Sequence, residues 1–284
     1  MRVSVCVLLV LGVVALQSGR ATSALPSPSP ELPPVDEVLS RVIQRDEETS
    51  KALGEYRYSE TVRLEKLDDE GKVVGSTELE VLCDPKEGIV LLSEPKEQGE
   101  DPPDTDESKR KATKESEKIK AAISLRELIP HFRIQLLGTD EWKGQPAYAL
   151  GFEPKRNEPH QNWLQKVLYN LRGVSLVSMR DYSVLDTRAS LTQPVELAWI
   201  LAQMKQLDCH YEAQPIGPWY GPARLEIEYR LSYVVGGSRR RQILTMHDFV
   251  PRQQAQAVPS ALPPGVSPPP APPPLAPVPE SVSR

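Results

Sequence analysis

Histidine and cysteine are scarce in this chain of 284 residues, which contains four histidines and three cysteines. None of the histidines is spaced with another histidine, a cysteine or a carboxylate in a recognised metal-binding pattern. Asp208, Cys209 and His210 are consecutive in a strand-like segment, so neighbouring side chains point to opposite faces and do not converge on one ion. The sequence therefore predicts no metal site and no cofactor.

Catalytic motifs are lacking as well. The chain has no nucleophile elbow, no phosphate-binding glycine loop and no zinc-protease helix motif. Cys209 with a distant histidine is the remaining nucleophile candidate, but this cysteine lies on the apolar side of its predicted strand, whereas an activated thiolate must be exposed. We therefore predict that the protein is not an enzyme and has no catalytic residues.

An excess of positive charge is also missing, since the formal net charge is −5 at pH 7. A basic run at residues 239–241 follows a predicted hairpin turn, where a solvated tip is the simpler interpretation. This composition disfavours nucleic acid or an anionic membrane as a partner held by bulk electrostatics. We expect no nucleic-acid partner.

Residues 1–24 have the layout of a cleavable secretory signal peptide. Arg2 is followed by an apolar run at residues 3–16 and by small residues that end at Ala24. The run is too short to be a good membrane span, although an uncleaved anchor is the alternative. No cysteine follows the run, so a bacterial lipid anchor is not indicated. We expect an exported protein, periplasmic or extracellular, without a lipid anchor.

Two cysteines remain beyond the predicted cleavage site, Cys83 and Cys209. Each lies on the apolar side of its own alternating strand, where a free cysteine behaves as a small hydrophobic residue. An exported protein can also pair its cysteines in a disulfide. The sequence leaves both alternatives open, because nothing in it indicates that the two strands are adjacent.

Composition divides the rest of the chain into segments. Residues 25–34 are rich in proline and serine and are interpreted as a tether, and residues 251–284 are predicted to be a disordered proline-rich tail. Between them, residues 35–250 are long enough for one well-buried domain. Residues 95–120 form a charged insert in this domain, and the insert is predicted to begin as a disordered loop.

Helical spacing of apolar residues predicts two helices. The first begins at Val35 and carries Asp46 on a charged side that we interpret as solvated. The second covers residues 163–171, and Gly173 stands where a helix terminator is expected. Between these helices, Ser124 and Glu127 form a capping box for a further, short helix.

Alternating apolar and polar residues predict long antiparallel strands over the rest of the domain. The clearest is the segment 223–235, which is followed by Gly236 and Gly237 as a tight turn and by a second strand at residues 238–250. With these glycines as the whole loop, the register pairs Tyr229 with Leu244, Ile227 with Met246 and Glu226 with His247. The apolar stripe then continues across the hairpin. The Glu226–His247 pair is either pH-sensitive or an ordinary cross-strand contact.

This order of elements resembles the outer-membrane lipoprotein carrier and sorting (LolA/LolB-like) superfamily. The residues that carry the resemblance are residues 56–58 with residues 68–74, residues 171–173 before a strand, and residues 217–229 with Trp219 and Pro222. The resemblance implies a divergent exported bacterial member with an α+β fold, in which helices close the concave face of a single curved antiparallel β-sheet, a half-barrel. It implies a role in lipoprotein sorting only loosely.

We therefore expect a non-catalytic envelope protein that holds a lipid, an acyl chain or a lipidated peptide in the half-barrel cavity. A curved sheet must have its inner face covered, and incomplete cover by helices leaves a hydrophobic pocket. The predicted lining residues are Leu79, Val81, Leu225, Ile227, Tyr229, Leu231, Leu244 and Met246. The alternative is an envelope sensor or protein-interaction module with a filled core, no lipid ligand and an envelope protein as its partner.

Overall fold

The computed structural model describes residues 32–99, 124–155, 159–160, 163–198 and 202–252. The predicted signal peptide, residues 25–31 of the tether, residues 100–120 of the insert and residues 253–284 of the tail lie outside this description. In the part of the chain that is described, no helix has the length and apolar character needed to cross a membrane.

Within the described ranges, the helices are α1 (Val35–Leu53), α2 (Leu125–Leu128) and α3 (Trp163–Leu168). A 3₁₀ turn, Ile129–His131, continues α2. The predicted cap of α2 is confirmed, because the backbone N–H of Glu127 donates to Ser124 Oγ at 3.3 Å. The predicted helix at Val35 is also confirmed, and Val38, Val42 and Leu53 are buried along it.

The described residues contain twelve β-strands. They are β1 (Tyr56–Leu67), β2 (Val73–Asp84), β3 (Gly88–Leu91), β4 (Lys96–Gly99), β5 (Phe132–Trp142), β6 (Gln145–Pro154), β7 (Leu171–Ser178), β8 (Val184–Leu191), β9 (Val195–Ala198), β10 (Ala202–Ile216), β11 (Trp219–Tyr233) and β12 (Gly237–Pro251). They form one sheet in the order β3-β2-β1-β12-β11-β10-β8-β7-β6-β5, in which β4 also pairs with β2 and β9 with β10. The sheet does not close into a barrel, and the predicted α+β fold on a single curved antiparallel sheet is confirmed.

Strand β4 corrects the prediction of a disordered loop that begins in this region. Residues Lys96–Gly99 pair with residues 75–78 of β2, although all four residues are exposed. A strand at the edge of a sheet is held by main-chain hydrogen bonds and needs no apolar side chain. Polar composition alone therefore gave the wrong assignment for these residues.

Gly173 does not end a helix, contrary to the prediction. Helix α3 ends at Leu168, and Gly173 lies inside β7. A Cβ atom on Gly173 would lie 2.2 Å from the carbonyl oxygen of Arg188 and 2.5 Å from the ring of Phe152. The glycine is therefore explained by the close approach of a neighbouring strand and an aromatic ring.

The β11–β12 hairpin has a register different from the predicted one. Tyr229 is opposite Arg240, Ile227 is opposite Gln242, and Leu225 is opposite Leu244. The loop is longer than the two glycines, because Ser232 pairs with Gly237. The partner of Tyr229 is thus Arg240 instead of Leu244. Because this shift is an even number of residues, every side chain keeps its predicted face.

The helices cover one face of the sheet, which we call the inner face, and the opposite face is the outer face. The side chains of α1 pack on β6 and β7 through Val38, Val42, Tyr148, Leu150 and Val177. The side chains of α3 belong to a second cluster, which includes Val167, Leu168, Phe152, Leu171, Ala189 and Cys209. The core of the domain therefore lies between the three helices and the strands from β5 to β10.

Candidate functional site: the inner face of the sheet

One cross-strand row of the inner face shows how burial changes across the sheet. From β5 to β2 it consists of Leu136, Leu150, Ser175, Thr187, Tyr211, Leu225, Leu244, Val62 and Leu79. From Leu150 to Tyr211 no residue is more than 6% exposed, whereas Leu225, Val62 and Leu79 are half-buried. We call the inner-face side chains of β6, β7, β8 and β10 the helix-covered part, and those of β11, β12, β1 and β2 the hairpin part.

The helix-covered part is nearly filled. A cavity of about 40 Å³ remains between α1, α2 and the strands beneath them. Its lining is apolar except for Ser175, and consists otherwise of Leu39, Val42, Leu125, Leu128, Ile129, Phe132, Ile134, Leu150, Phe152, Val177 and Val184. The hydroxyl groups of Ser175 and Thr187 are hydrogen-bonded at 3.0 Å. Since ligand sites typically measure about 300–1,000 Å³, this cavity is too small for an acyl chain.

All eight predicted lining residues lie on the inner face, in the hairpin part. Leu79 and Val81 belong to β2, Leu225, Ile227, Tyr229 and Leu231 belong to β11, and Leu244 and Met246 belong to β12. Val81, Leu244 and Met246 are at most 8% exposed and form the floor of this surface. The other five are half-buried. Ile227, Tyr229 and Leu231 also pack against the second cluster, which contains the side chains of α3. The inner-face surface on which the eight side chains lie is the candidate binding surface.

A polar border ends this apolar surface towards the β11–β12 loop. Because of the observed register, Gln242 and Arg240 occupy the inner-face positions opposite Ile227 and Tyr229, and Lys66 of β1 is opposite Arg240. The predicted continuation of the apolar stripe across the whole hairpin is therefore wrong. A cavity of about 850 Å³ at this end of the sheet is lined by Lys66, Leu67, Asp68, Asp69, Lys205, Gln206, Arg230, Leu231, Ser232, Gly236, Gly237, Ser238 and Arg239.

A buried carboxyl group lies in the hairpin part, and the sequence analysis did not identify it. Glu60 of β1 is 3% exposed and lies between Met246 and Val81 in its cross-strand row. The thiol of Cys83 donates to Glu60 Oε2 at 3.7 Å. Burial, together with Cys83 and Glu60, raises the pKa of Tyr58 well above its ordinary value. The available signal was that Glu60 occupies the apolar side of an alternating strand.

Asp46 of α1 faces the sheet, which corrects the prediction that it lies on a solvated side of the helix. Burial raises the pKa of Asp46 from 3.8 to about 6, while a hydrogen bond from the Leu125 backbone opposes this shift and Glu47 adds to it. Burial also raises the pKa of Tyr211, and Asp46 contributes to that increase. Asp46 follows the buried Val42 by four residues, so helical geometry places both on the same side.

The outer face of the hairpin strands carries a network of charged side chains. Arg241 contacts Glu65 at 3.1 Å and Glu228 at 2.9 Å, and Arg239 contacts Glu228 at 2.6 Å. Burial opposes ionisation of Glu228, but hydrogen bonds from Arg241 and Arg239 hold its pKa below the ordinary value. The basic run is therefore not simply a solvated tip, because two of its arginines pair across strands and only Arg240 is exposed.

Three potential metal ligands also meet on the outer face, although the sequence predicted no metal site. The ligand atoms of Asp186, His210 and Glu212 lie within 4.8 Å of one another, and His210 Nε2 is 2.7 Å from Asp186 Oδ2. Arg188 lies 3.4 Å from Asp186, and Lys143 lies 4.0 Å from Glu212. Two cations thus already balance the two carboxylates, and we explain the cluster as ion pairing on the outer face. Sequence reasoning missed it because Asp186 comes from a separate strand.

The strand order and register show whether Cys83 and Cys209 form a disulfide and whether Glu226 and His247 are paired. Cys83 on β2 and Cys209 on β10 are separated by three strands, and both are buried and form no disulfide. Burial raises the pKa of the Cys209 thiol, which disfavours the thiolate that a nucleophile requires. Glu226 is opposite Ile243, so the predicted Glu226–His247 pair is wrong.

No family profile matches the sequence, and no curated protein matches it. Among solved structures, the chain is similar to a LolA superfamily protein from Nitrosomonas europaea, with 10% identity, a TM-score of 0.28, and coverage of 75% of this chain and 91% of that chain. A DUF1329 family protein from Desulfovibrio piger has 11% identity, a TM-score of 0.30 and coverages of 76% and 92%. The MucA/MucB complex of Pseudomonas aeruginosa has 11% identity, a TM-score of 0.24 and coverages of 74% and 93%. The superfamily that the sequence resembles is thus among these similar structures.

Proposed function

We propose that this protein is a non-catalytic, exported envelope protein that binds a hydrophobic ligand on the hairpin part of the inner face. The ligand class is a lipid, an acyl chain or a lipidated peptide. The observation that carries the proposal is the half-buried apolar surface of Leu79, Leu225, Ile227, Tyr229 and Leu231, which lies beside a nearly filled core. A contiguous apolar surface rimmed by polar residues is typical of a binding site.

Two features of this surface suit an elongated amphiphile. Leu225, Leu244, Val62 and Leu79 form one apolar row across four neighbouring strands, which spans about 14 Å at the usual strand spacing. The polar border with Lys66 and Arg240 runs parallel to this row, four residues further along β1 and β12. An apolar chain that lies along the strands and crosses the row can place a polar or anionic head group against the border, an arrangement common in ligand sites.

The absence of catalysis and the export of the chain are parts of the same proposal. The buried thiol of Cys209 and the cation-balanced cluster around Asp186 both have structural explanations that require no reaction. Residues 1–24 have the layout of a secretory signal peptide, so we propose that the ligand is met in the envelope or outside the cell.

Fluorescence titration with dansyl-labelled undecanoic acid tests the proposed site. Leu79→Glu places a carboxylate in the apolar row, and we expect it to weaken binding at least about tenfold, since burying an unpaired charge costs more than about 1.4 kcal/mol. Leu82→Glu is the matched control, because Leu82 is a half-buried leucine on the outer face of the same strand. Equal binding by the two variants contradicts the proposed site.

Native mass spectrometry of the gently purified protein provides a second test. We expect a bound lipid or acyl chain in the wild-type protein and its loss in Leu79→Glu. A protein that is purified without ligand and also fails to bind the dansyl probe contradicts the proposed function.

The filled core favours a second function, an envelope sensor or protein-interaction module without a lipid ligand. The supporting observation is that the cavity under α1 and α2 has a volume of only about 40 Å³. In this case the sheet and the proline-rich tail bind an envelope protein. Under either function, deletion of residues 253–284 is expected to leave the melting temperature nearly unchanged, because a segment of this composition buries little apolar surface.

A further inference from the structure

The large cavity at the end of the sheet near the β11–β12 loop has the size of a ligand site. Its volume is about 850 Å³, whereas sites for small molecules usually measure about 300–1,000 Å³. Residues 66–69, 205–206, 230–232 and 236–239 line it. The cavity therefore lies between the β1–β2 turn, the start of β10 and the β11–β12 loop.

The cavity lining carries more positive than negative charge, with four cationic and two acidic side chains. Both carboxylates are already held by donors of the protein itself. Asp69 forms an ion pair with Arg230, and Asp68 Oδ1 accepts from the backbone N–H of Lys72 at 2.8 Å. The excess charge in the cavity is therefore positive.

Two cations at the cavity have no partner in the protein. Among the residues that the structure describes, neither Lys205 in the lining nor Arg240 forms an ion pair or a side-chain hydrogen bond, and both are exposed. Arg240 is opposite Lys66 of the lining, so it lies at the edge of the cavity. Cations of this kind around a concave site favour the binding of an anion.

A hydroxyl group of the lining also has no partner. Ser238 Oγ is buried and forms no hydrogen bond, although Ser238 lies on the inner face opposite Leu231. Buried hydroxyl groups are usually hydrogen-bonded, because leaving one unpaired is unfavourable. Since a serine hydroxyl has one hydrogen to donate, it can bind an oxygen of an anionic group in the cavity.

The candidate binding surface leads into this cavity along β11. Leu225, Ile227, Tyr229 and Leu231 alternate on the inner face of the strand, and Leu231 belongs both to that surface and to the cavity lining. From Leu225 to Leu231 the strand extends about 20 Å at the usual rise per residue. An extended apolar chain can therefore lie along β11 with its polar end in the cavity.

We propose that the cavity holds the anionic head group of the hydrophobic ligand, a phosphate or a carboxylate. This rests on the proposed function, because the apolar chain of the same ligand occupies the candidate binding surface. Lys205 and Arg240 balance the charge of the head group, and the Ser238 hydroxyl donates to one of its oxygens. The ligand class is thereby narrowed from hydrophobic molecules in general to anionic amphiphiles.

Displacement of the uncharged fluorescent probe N-phenylnaphthylamine from the full chain tests the head-group preference. Dodecyl phosphate and dodecyl glucoside share one apolar chain, but only the first has an anionic head. Below the concentrations at which either compound forms micelles, we expect dodecyl phosphate to displace the probe at about a tenfold lower concentration. Equal displacement by the two compounds overturns the proposal.

A charge reversal at Lys205 tests the position of the head group. Lys205→Glu replaces an attractive charge by a repulsive one, so we expect it to weaken the binding of dodecyl phosphate about tenfold and to leave that of dodecyl glucoside unchanged. Lys86→Glu is the matched control, because Lys86 is an exposed lysine just beyond the opposite end of β2. Thermal unfolding establishes that both variants are folded. An equal effect of the two variants contradicts the proposal.

Inorganic phosphate distinguishes an amphiphile from a free anion. In isothermal titration calorimetry we expect dodecyl phosphate to bind far more tightly than inorganic phosphate, since its chain adds apolar contacts along β11. Equal affinities contradict the proposal.

The head-group site and the proposed function can fail separately. If both dodecyl compounds displace the probe equally and Lys205→Glu changes neither, the head-group site is wrong and the proposed function stands. If neither dodecyl compound nor the dansyl probe binds, the proposed function itself is wrong.

Discussion

The helix-covered part and the hairpin part of the inner face are built from strands with the same alternating pattern, yet they are buried to different degrees. In the row that crosses both parts, Leu150, Thr187 and Tyr211 are at most 4% exposed, whereas Leu225, Val62 and Leu79 are half-buried. Leu150 packs in the cluster that contains the side chains of α1, and Asp46 of α1 lies near enough to Tyr211 to contribute to its raised pKa. Alternation in a strand therefore predicts which face is apolar. How deeply each part of that face is buried depends on where the helices pack.

The largest expected difference between the two parts is in the cost of truncating a leucine. Leu171→Ala removes a side chain that is 2% exposed in the helix-covered part, and we expect a loss of about 3 kcal/mol from the free energy of unfolding. Leu79→Ala in the hairpin part is expected to cost about 1 kcal/mol, because the side chain is already half in water. Urea denaturation measures both, and equal losses would remove the distinction between the parts.

The second prediction concerns the pH dependence of the contact between α1 and the sheet. The pKa of Asp46 rises from 3.8 to about 6 in the folded protein, so the fold favours the protonated carboxyl group. Its contribution to stability is complete below about pH 4 and is lost as the pH rises through 6. Asp46→Asn is expected to increase stability at pH 7 relative to pH 4, by about 2 kcal/mol.

Asp36→Asn is the matched control for this pH effect, since Asp36 is exposed in the first turn of the same helix. Unfolding free energies of the wild type and both variants at pH 4 and pH 7 provide the comparison. A wild-type pH dependence that persists in Asp46→Asn would show that another group is responsible.

A third prediction concerns the hydrogen bond made by Ser175, a polar residue in the lining of the small cavity. Ser175→Ala leaves the buried hydroxyl of Thr187 without its partner at 3.0 Å, and we expect a loss of about 1 kcal/mol. Adding Thr187→Val removes the unpaired group, so the double variant is expected to lose less than the sum of the single variants. A strictly additive result in thermal denaturation would contradict this coupling.

The smallest expected effect is a difference in thiol labelling between the two parts. Each part contains one buried cysteine, Cys209 in the helix-covered part at 2% exposure and Cys83 in the hairpin part at 6% exposure. With Cys6→Ser as background, we expect Cys83 to react with a thiol reagent faster than Cys209, since burial also raises the pKa of Cys209. Faster labelling of Cys209 would show that the helices open more readily than the hairpin strands.

Local patterns in the sequence predicted most of the elements. Periodicity identified α1, and the capping residues Ser124 and Glu127 identified the start of α2. The alternation of residues identified the long strands and the face of each side chain. These signals depend on neighbours within a few residues, which is why they can be recognised without the fold.

Features that depend on contacts between distant strands could not be predicted. The close contact of Gly173 with Phe152, the position of Asp186 beside His210, and the strand pairing of β4 all involve partners far apart in the chain. For the candidate site, the alternation of residues predicted which side chains face inward but not the register of β11 and β12. It therefore missed the polar border, which depends on that register.

The register of β11 and β12 also limits where this hairpin can change in length. Removing two residues from within β12 slides the rest of that strand without turning it over, so every side chain keeps its face of the sheet. Removing a single residue from within β12 turns the rest of the strand over, and the arginines of the outer face are then directed into the apolar floor. The loop at residues 233–236 can lose or gain one residue without this effect, because hairpin loops of different lengths join strands of the same pairing. We infer that insertions and deletions of odd length are accepted in this loop and rejected within the strands that it joins.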